Sequence, residues 1–461
     1  MPPNGSSKYL QPAALVVPEI KELLAHKDYV TLKQCLREFH PVDLADRWDA
    51  FEPEQQVQLF QLLGTVAAVT LFESLSPEDQ RFLLMTLGDE SAPVIEGLAP
   101  ENVARLFHRL PKKVVKKLAG LVKREESLQK IQLLMTFPRG SAGSLMHPEF
   151  IKLTPTMTAK QALEILQAVA RPHHGSHIYA LYVTNGQGKL QGTLTLQELI
   201  GAPSDARLSE LASSVEAIKI PAQMDQEEVA RRFAKYDLVS APVVNEEGAL
   251  IGVLTVDDII DVMRQEASED IAKMAGTKAE EFQAQNIFRI ARLRLPWLIA
   301  SIGGGFLVSL VIKHFEGTLL RVVALASFMP LIAAMGGNVG AQSATIVVRS
   351  LAIGHLRPQD WRKAMIHELG VGGVLGVSYA LMVGVFAYLL YGGTLGSSFA
   401  LVVSLGMLTS MIVAAMIGAV EPFFFQRLGI DPATATGPLI TTITDLIATS
   451  TYLILATLIL A

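Results

Sequence analysis

The second part of this sequence, from Leu295 to the end, is dominated by long apolar segments. A membrane-crossing helix needs about 20 predominantly apolar residues, and five segments reach that length. This part of the chain has only six acidic residues. The pattern therefore predicts an α-helical membrane bundle of five transmembrane helices, at residues 295–313, 319–350, 364–391, 397–425 and 436–460.

Basic residues at the ends of these segments predict their orientation. The connections near 289–294, 349–363 and 426–431 hold eight arginines and lysines, whereas the opposite side offers only Lys313 and Arg321. Because basic connections stay cytosolic, we expect a multi-pass protein of the plasma (inner) membrane, with cytosolic N-terminal domains and the C-terminus outside. Five helices have no matched halves, so a symmetric pathway needs a second copy. We expect a homodimer in contact with membrane lipid.

One acidic residue, Asp445, lies inside an apolar run with no neighbouring base. A carboxylate at the centre of a membrane helix costs about 2.5–3.5 kcal/mol, so it is retained where it meets water, a partner or a cation. At four-residue spacing Gly437, Thr441, Asp445 and Thr449 share one helix face. This polar stripe predicts a cation site on a water-filled path. The alternative is a structural aspartate bonded to a neighbouring helix.

The second apolar segment contains a helix-breaking Pro330, a glycine cluster at 336–340, and the amides of Asn338 and Gln342. Irregular backbone at membrane depth is tolerated where it lines a cavity or is buried in protein. We predict that this segment lines the pore, with helix packing alone as the alternative. Carboxylates, carbonyls and waters suit a hard divalent cation. No P-loop signature is present, and we do not expect an enzyme.

The chain before residue 295 is expected to be soluble and mildly acidic. The net charge of −5, without a long basic run, argues against nucleic acid as a partner. Cys35 stands alone, which excludes an intramolecular disulfide and a cysteine zinc site. Residues 1–17 lack the apolar core of a signal peptide and are expected to be disordered. Short helices punctuated by turns such as 76–79 predict an all-α N domain at residues 18–137.

An internal repeat follows the N domain. Residues 192–200 and 252–260 match at an offset of 60, and each copy has a helical stretch followed by short β-rich runs. This order resembles tandem CBS domains, α/β regulatory modules that commonly bind adenosine nucleotides. We place the first at 138–205 and the second at 206–264.

The CBS region suggests two ligands. By the resemblance, ATP or another adenine nucleotide would bind between the copies, with Thr255 and Asp258 contacting its ribose. The group His173, His174 and His177 suggests a metal, but it lies in a loop without a companion cysteine or carboxylate pattern. We therefore expect no metal at these histidines.

Acidic residues are concentrated between Asp257 and Asp270, where Arg264 is the one base. Like charges on one helix face repel. A solvated acidic face is the simple explanation, but these acids directly precede a connecting helix at 265–293 and the transmembrane domain at 294–461. Cation binding would relieve the repulsion and couple ion concentration to the membrane helices.

In their order along the chain, these parts resemble the MgtE family of magnesium channels. The resemblance covers residues 18–461, and its motifs are 141–146, 330–342 and 431–445. It implies a helical N domain, two CBS domains, a connecting plug helix and five membrane helices that dimerise. It also implies Mg²⁺ as the permeant ion and as a cytosolic regulator.

The resemblance also implies roles for individual residues. Asp445 would hold hydrated Mg²⁺ in the pore with a carbonyl of Thr441 and, in the second segment, Asn338; Gly437 stands where the best-known pattern has asparagine. Cytosolic Mg²⁺ would lock the gate closed through carboxylates of the connecting region and the pore mouth. These regulatory positions are Asp258, Asp261, Glu266, Glu269, Asp270 and Asp431.

The N domain departs from the family pattern. Residues 101–105 read Glu-Asn-Val-Ala-Arg where the pattern has Asp-Asp-Leu-Ala-Asp, so Glu101 keeps a carboxylate and Arg105 loses one. A guanidinium facing the CBS acids predicts an ion pair without metal. We therefore expect N-domain docking without Mg²⁺ and gating that depends less on cytosolic Mg²⁺. The alternative function is a non-conducting CBS-containing membrane sensor of cations or nucleotides.

Overall fold

The computed structural model describes residues 13–170, 180–283 and 286–460. The chain forms two compact units, Met1–Met263 and Arg264–Ala461. The predicted His173, His174 and His177 loop lies outside the described residues, and so does most of the segment expected to be disordered.

Ten short α-helices form the N-terminal part of the first unit. Proline at the first turn and side-chain caps begin several of them; the hydroxyl of Ser76, for example, accepts a hydrogen bond from the Asp79 amide at 3.2 Å. Their apolar faces bury Trp48 and Leu71 in one core, which confirms the predicted all-α N domain. The helices are α1 (Ala13–Ala25), α2 (Tyr29–Glu38), α3 (Pro41–Ala45), α4 (Pro53–Leu62), α5 (Thr65–Ser74), α6 (Pro77–Leu87), α7 (Ala92–Gly97), α8 (Pro100–Arg109), α9 (Lys112–Ala119) and α10 (Glu125–Met135).

The internal repeat forms two three-stranded sheets of the same topology, in the orders β1-β2-β3 and β4-β5-β6. In each, the first pair is parallel and the second antiparallel. The registers repeat as well, because Ala180 pairs with Thr195 and Ser240 pairs with Thr255. The elements are α11 (Ala142–Leu145), β1 (Lys152–Leu153), α12 (Ala159–Ala170), β2 (Ala180–Thr184), β3 (Leu190–Thr195), α13 (Leu196–Gly201), α14 (Leu208–Leu211), β4 (Ile220–Pro221), α15 (Gln226–Tyr236), β5 (Ser240–Val244), β6 (Leu250–Thr255) and α16 (Val256–Met274).

The segment around α11 packs on the second CBS copy. The His147 amide donates to the Val253 carbonyl at 2.8 Å, and the Val253 amide donates back at 3.0 Å. Gly252 permits this approach, because a Cβ there would lie 2.5 Å from the sulfur of Met146. Strand β6 therefore fixes the position of His147.

The second unit contains long apolar helices. Four described helices are long and apolar enough to cross a membrane. The third of these, α20, is interrupted at Gly396, where φ is 74° and ψ is −177°, giving two arms at 361–395 and 397–427. Five spanning segments result, as the sequence predicted. The helices are α17 (Ile287–His314), α18 (Glu316–Arg321), α19 (Leu325–Ala352), α20 (Trp361–Arg427) and α21 (Pro438–Leu460).

The predicted boundaries needed several corrections. Helix α1 begins at Ala13, inside the segment 1–17 that was expected to be disordered. The connecting region at 265–293 is not one helix, because α16 ends at Met274 and α17, the first long apolar helix, begins at Ile287. The second spanning segment begins at Leu325 rather than at residue 319, because α18 ends before Val322, whose backbone is not helical. Within the bundle, a Cβ at Gly418 would lie 2.3 Å from the Gly340 carbonyl, so glycine allows α19 and α20 to touch through their backbones.

The break in α20 gives a test of this fold. Only glycine adopts the backbone conformation of residue 396 readily, so Gly396→Ala should lower the free energy of unfolding by about 1–3 kcal/mol. Thermal unfolding of the purified protein would measure the change. Gly393→Ala is the matched control, since Gly393 is helical and has open space around its Cβ position. Equal melting temperatures for the two variants would contradict the break.

Candidate functional site

Asp445 lies on α21 against the glycine cluster of α19. A Cβ at Gly337 would lie 3.5 Å from Asp445 Oδ1, so glycine lets the carboxylate approach the neighbouring helix. Asp445 is half-buried. Within the described residues, no hydrogen bond or ion pair involves its carboxylate. The alternative of a structural aspartate bonded to a neighbouring helix therefore finds no bonding partner in this part of the chain.

Exposed polar side chains occur on both helices near the position where Gly337 meets Asp445. Asn338 and Gln342 are exposed on α19, one helical turn apart, and Thr441 is exposed on α21. The Thr441 hydroxyl donates to the Pro438 carbonyl at 3.0 Å, and the Thr441 carbonyl accepts from the Thr444 hydroxyl at 3.0 Å. Both helices that meet at Gly337 thus carry exposed polar side chains close to this contact along the chain.

The predicted stripe on α21 is shorter than expected. Thr449 is buried within the bundle with 4% of its surface exposed. Gly437 is covered as well, because a Cβ there would lie 3.2 Å from the Met274 carbonyl at the end of α16. Helical spacing identified the shared face but not the neighbours that cover its two ends. The accessible stripe therefore consists of Thr441 and Asp445.

A second group of charges lies where α21 begins. One oxygen of Asp431 accepts from the Ala433 amide at 2.8 Å and the other binds the Lys273 ammonium. Lys273 also pairs with Glu269 at 2.6 Å. Burial would lower the pKa of Lys273, but its bonds to Asp431 and Glu269 outweigh burial and raise that pKa. Two predicted regulatory carboxylates thus share one lysine.

A third group connects the N domain to the second CBS copy. Arg105 Nη2 lies 2.8 Å from Asp258 Oδ1. The His147 ring joins two acids, with Nε2 2.6 Å from Asp258 Oδ2 and Nδ1 2.7 Å from Glu101 Oε1. The Thr255 hydroxyl donates to Asp258 Oδ2 at 2.8 Å. Glu101 and Asp258 are both buried, so this network compensates two buried negative charges.

The network shifts two pKa values. Burial would lower the pKa of His147, but Asp258 and Glu101 raise it to about 10. Burial would raise the pKa of Asp258, but His147 and Arg105 lower it to about 2. The histidine contribution to stability is complete below its unfolded pKa and is lost as pH rises through about 10. The aspartate contribution is present above its unfolded pKa and is lost as pH falls through about 2.

His147 is a site residue that the sequence alone did not predict. Its partners lie 46 and 111 residues away in sequence, so no local spacing signals the contact. The available signal was its position directly after the 141–146 motif.

The remaining regulatory candidates all lie on α16, where Asp261 is exposed and Glu266 and Asp270 are half-buried. Among the described residues, no group of three or more histidine, cysteine, aspartate or glutamate side chains is arranged to hold a metal. Asp258, Glu269 and Asp431 are instead bonded to protein cations.

Comparison with known families covers most of the chain. Residues 329–455 match the family described as divalent cation transporter, MgtE. Residues 39–140 match the MgtE intracellular N domain, and residues 142–205 and 208–265 match CBS domains.

Similar proteins extend over nearly the full length. The magnesium transporter MgtE of Thermus thermophilus is 33% identical over 96% of this chain and 98% of its own. That of Bacillus subtilis is 29% identical over 92% of this chain and 93% of its own. A solved structure of the cytosolic domain of the Mg²⁺ channel MgtE in complex with ATP is 32% identical, covers 53% of this chain and 99% of its own, and has a TM-score of 0.49.

Proposed function

This chain belongs to the MgtE family of divalent cation transporters, and we propose that it carries Mg²⁺ across the membrane past Asp445. The observation that supports this most is the half-buried Asp445 carboxylate packed at Gly337, with Thr441 exposed one turn earlier on α21 and Asn338 exposed directly after Gly337. Polar groups at membrane depth face water, protein or an ion rather than lipid. Their oxygen atoms are the ligands that Mg²⁺ prefers.

We further propose that the pathway forms between two copies of the chain. One chain offers a single pore carboxylate, and Mg²⁺ dehydrates reluctantly and usually keeps several waters. Two polar faces related by a two-fold axis would present two Asp445 carboxylates to one hydrated ion. The proposed homodimer lies in the plasma (inner) membrane, with its N-terminal domains cytosolic and its C-termini outside.

Asp445→Ala should reduce Mg²⁺ uptake into proteoliposomes by at least roughly tenfold, since a ligand worth about 1.4 kcal/mol changes affinity by that factor. Glu316→Ala is the control, because it removes an exposed acid elsewhere in the membrane unit. Normal uptake by Asp445→Ala would contradict the pore assignment. Absence of uptake by the folded wild type would favour the sensor function.

We propose that the N domain docks on the second CBS copy without metal. The support is the direct bond from Arg105 to Asp258, reinforced by His147 between Asp258 and Glu101. Charge-assisted hydrogen bonds of this kind are about twice as strong as neutral ones. Arginine and histidine thereby neutralise carboxylates that would otherwise require a cation.

Arg105→Asp should make channel closure depend more strongly on cytosolic Mg²⁺, because it restores an acid at the docking surface and removes a built-in cation. Uptake measured over a series of Mg²⁺ concentrations on the cytosolic face tests this. Arg37→Asp is the charge-matched control, at an exposed position of α2. An identical Mg²⁺ dependence in Arg105→Asp and wild type would refute metal-free docking.

We also propose that an adenine nucleotide binds between the CBS copies, with Thr255 and Asp258 near its ribose. Both oxygens of Asp258 are engaged by protein groups, so its ribose contact requires that Arg105 or His147 withdraw. Thr255 is half-buried, and its hydroxyl lies at the start of α16.

Equilibrium titration should show binding of ATP, ADP or AMP at millimolar concentrations or below. Thr255→Val should weaken that binding roughly fivefold, the effect of one lost hydrogen bond of about 1 kcal/mol. Thr195→Val is the control, at the equivalent position of the first copy. No binding by the wild type would exclude the nucleotide site.

A further inference from the structure

Lys273 joins two parts of the membrane unit that are distant in sequence. Its ammonium pairs with Glu269, one turn earlier on α16, at 2.6 Å and with Asp431, 158 residues later. Asp431 begins the short 3₁₀-helix Pro432–Ala435 that precedes α21. The lysine therefore ties the end of the connecting helix to the segment from which the Asp445 helix starts.

Close backbone packing accompanies this bridge. A Cβ at Gly276 would lie 2.7 Å from Pro438 Cδ, and a Cβ at Gly437 would lie 3.3 Å from the Lys273 carbonyl. Gly276 has a φ of 72°, so glycine also suits the turn that follows α16. The chain at 273–276 thus covers the first residues of α21 on the side where Gly437 lies.

The chemistry of the bridge resembles that of a bound cation. Glu269 and Asp431 are two carboxylates on separate elements, and the ammonium supplies the positive charge between them. An isolated exposed ion pair contributes little, but Lys273 is 24% exposed and bonds two acids at once. A divalent cation could bind these oxygens closely only after the ammonium had moved away.

We propose that Lys273 is a built-in cation that holds residues 273–276 over the start of α21 without metal and competes with divalent cations for Glu269 and Asp431. This inference rests on the proposed transport function, because it assigns to this contact the closing of the cytosolic mouth. It adds a specific residue that sets how much cytosolic Mg²⁺ is needed for closure.

The effect of Lys273→Met on Mg²⁺ uptake tests the proposal. Without Mg²⁺ on the cytosolic face, uptake should rise about fivefold, the effect of losing one partly exposed charge-assisted bridge. Added cytosolic Mg²⁺ should then suppress uptake more steeply than in wild type, because both acids are released. Lys273→Arg should behave like wild type. Lys278→Met is the control, since it removes an exposed charge five residues away.

A labelling experiment reports the contact independently of transport. Thr277 is buried directly after Gly276, so a cysteine there should react slowly with a membrane-impermeant maleimide. The background is Cys35→Ser, which removes the single native cysteine. Adding Lys273→Met should speed labelling about fivefold without Mg²⁺, and Mg²⁺ should slow it again. Adding Lys278→Met should change nothing.

The two experiments separate the two claims. Equal labelling rates with and without Lys273→Met, in a protein that transports normally, would overturn the role of Lys273 and leave the pore intact. If the wild type transported no Mg²⁺, the proposed function would fail, while faster labelling in Lys273→Met would still support the metal-free contact.

Discussion

Polar side chains at membrane depth need neighbours other than lipid, and the membrane unit is organised around this requirement. Where α19 passes α21, Gly337 leaves room for the Asp445 carboxylate, and Asn338, the next residue, and Thr441 are exposed. The same two helices also contribute buried apolar residues to one core with α20. Exposed polar side chains are not expected on a helix bundle that contacts only lipid, so they indicate a surface that meets water, protein or an ion.

In both units, acidic side chains are paired with basic side chains of the protein. Arg105 and His147 neutralise buried acids in the first unit, and Lys273 joins two acids in the second. Burying a carboxylate without a partner costs several kcal/mol, so the contacts to the buried Glu101 and Asp258 stabilise the arrangement in which they form. Both sets of acids belong to positions that the family resemblance associates with Mg²⁺. We propose that regulation in both units rests on competition between the protein's own cationic side chains and Mg²⁺ in solution.

The sequence predicted features that repeat or extend over many residues. The constant offset between the two halves predicted the CBS duplication. The lengths of the apolar segments predicted five segments of spanning length. The contacts of His147 and Lys273 with distant residues were not predicted, because no spacing along the chain signals them. Burial was also misjudged at Gly437 and Thr449, since helical spacing places residues on a face without revealing what packs against it.

The accessibility of residues 338 and 441 to water tests the pore assignment most directly. Single cysteines at Asn338, Thr441 and Leu389, in the Cys35→Ser background, would be treated with a membrane-impermeant thiol reagent during Mg²⁺ uptake; Leu389 is an exposed apolar position on α20. If Asn338 and Thr441 line the ion path, cysteines at 338 and 441 should be modified and uptake should be blocked, and the cysteine at 389 should not react. Unmodified cysteines at 338 and 441 during active uptake would place the ion path elsewhere.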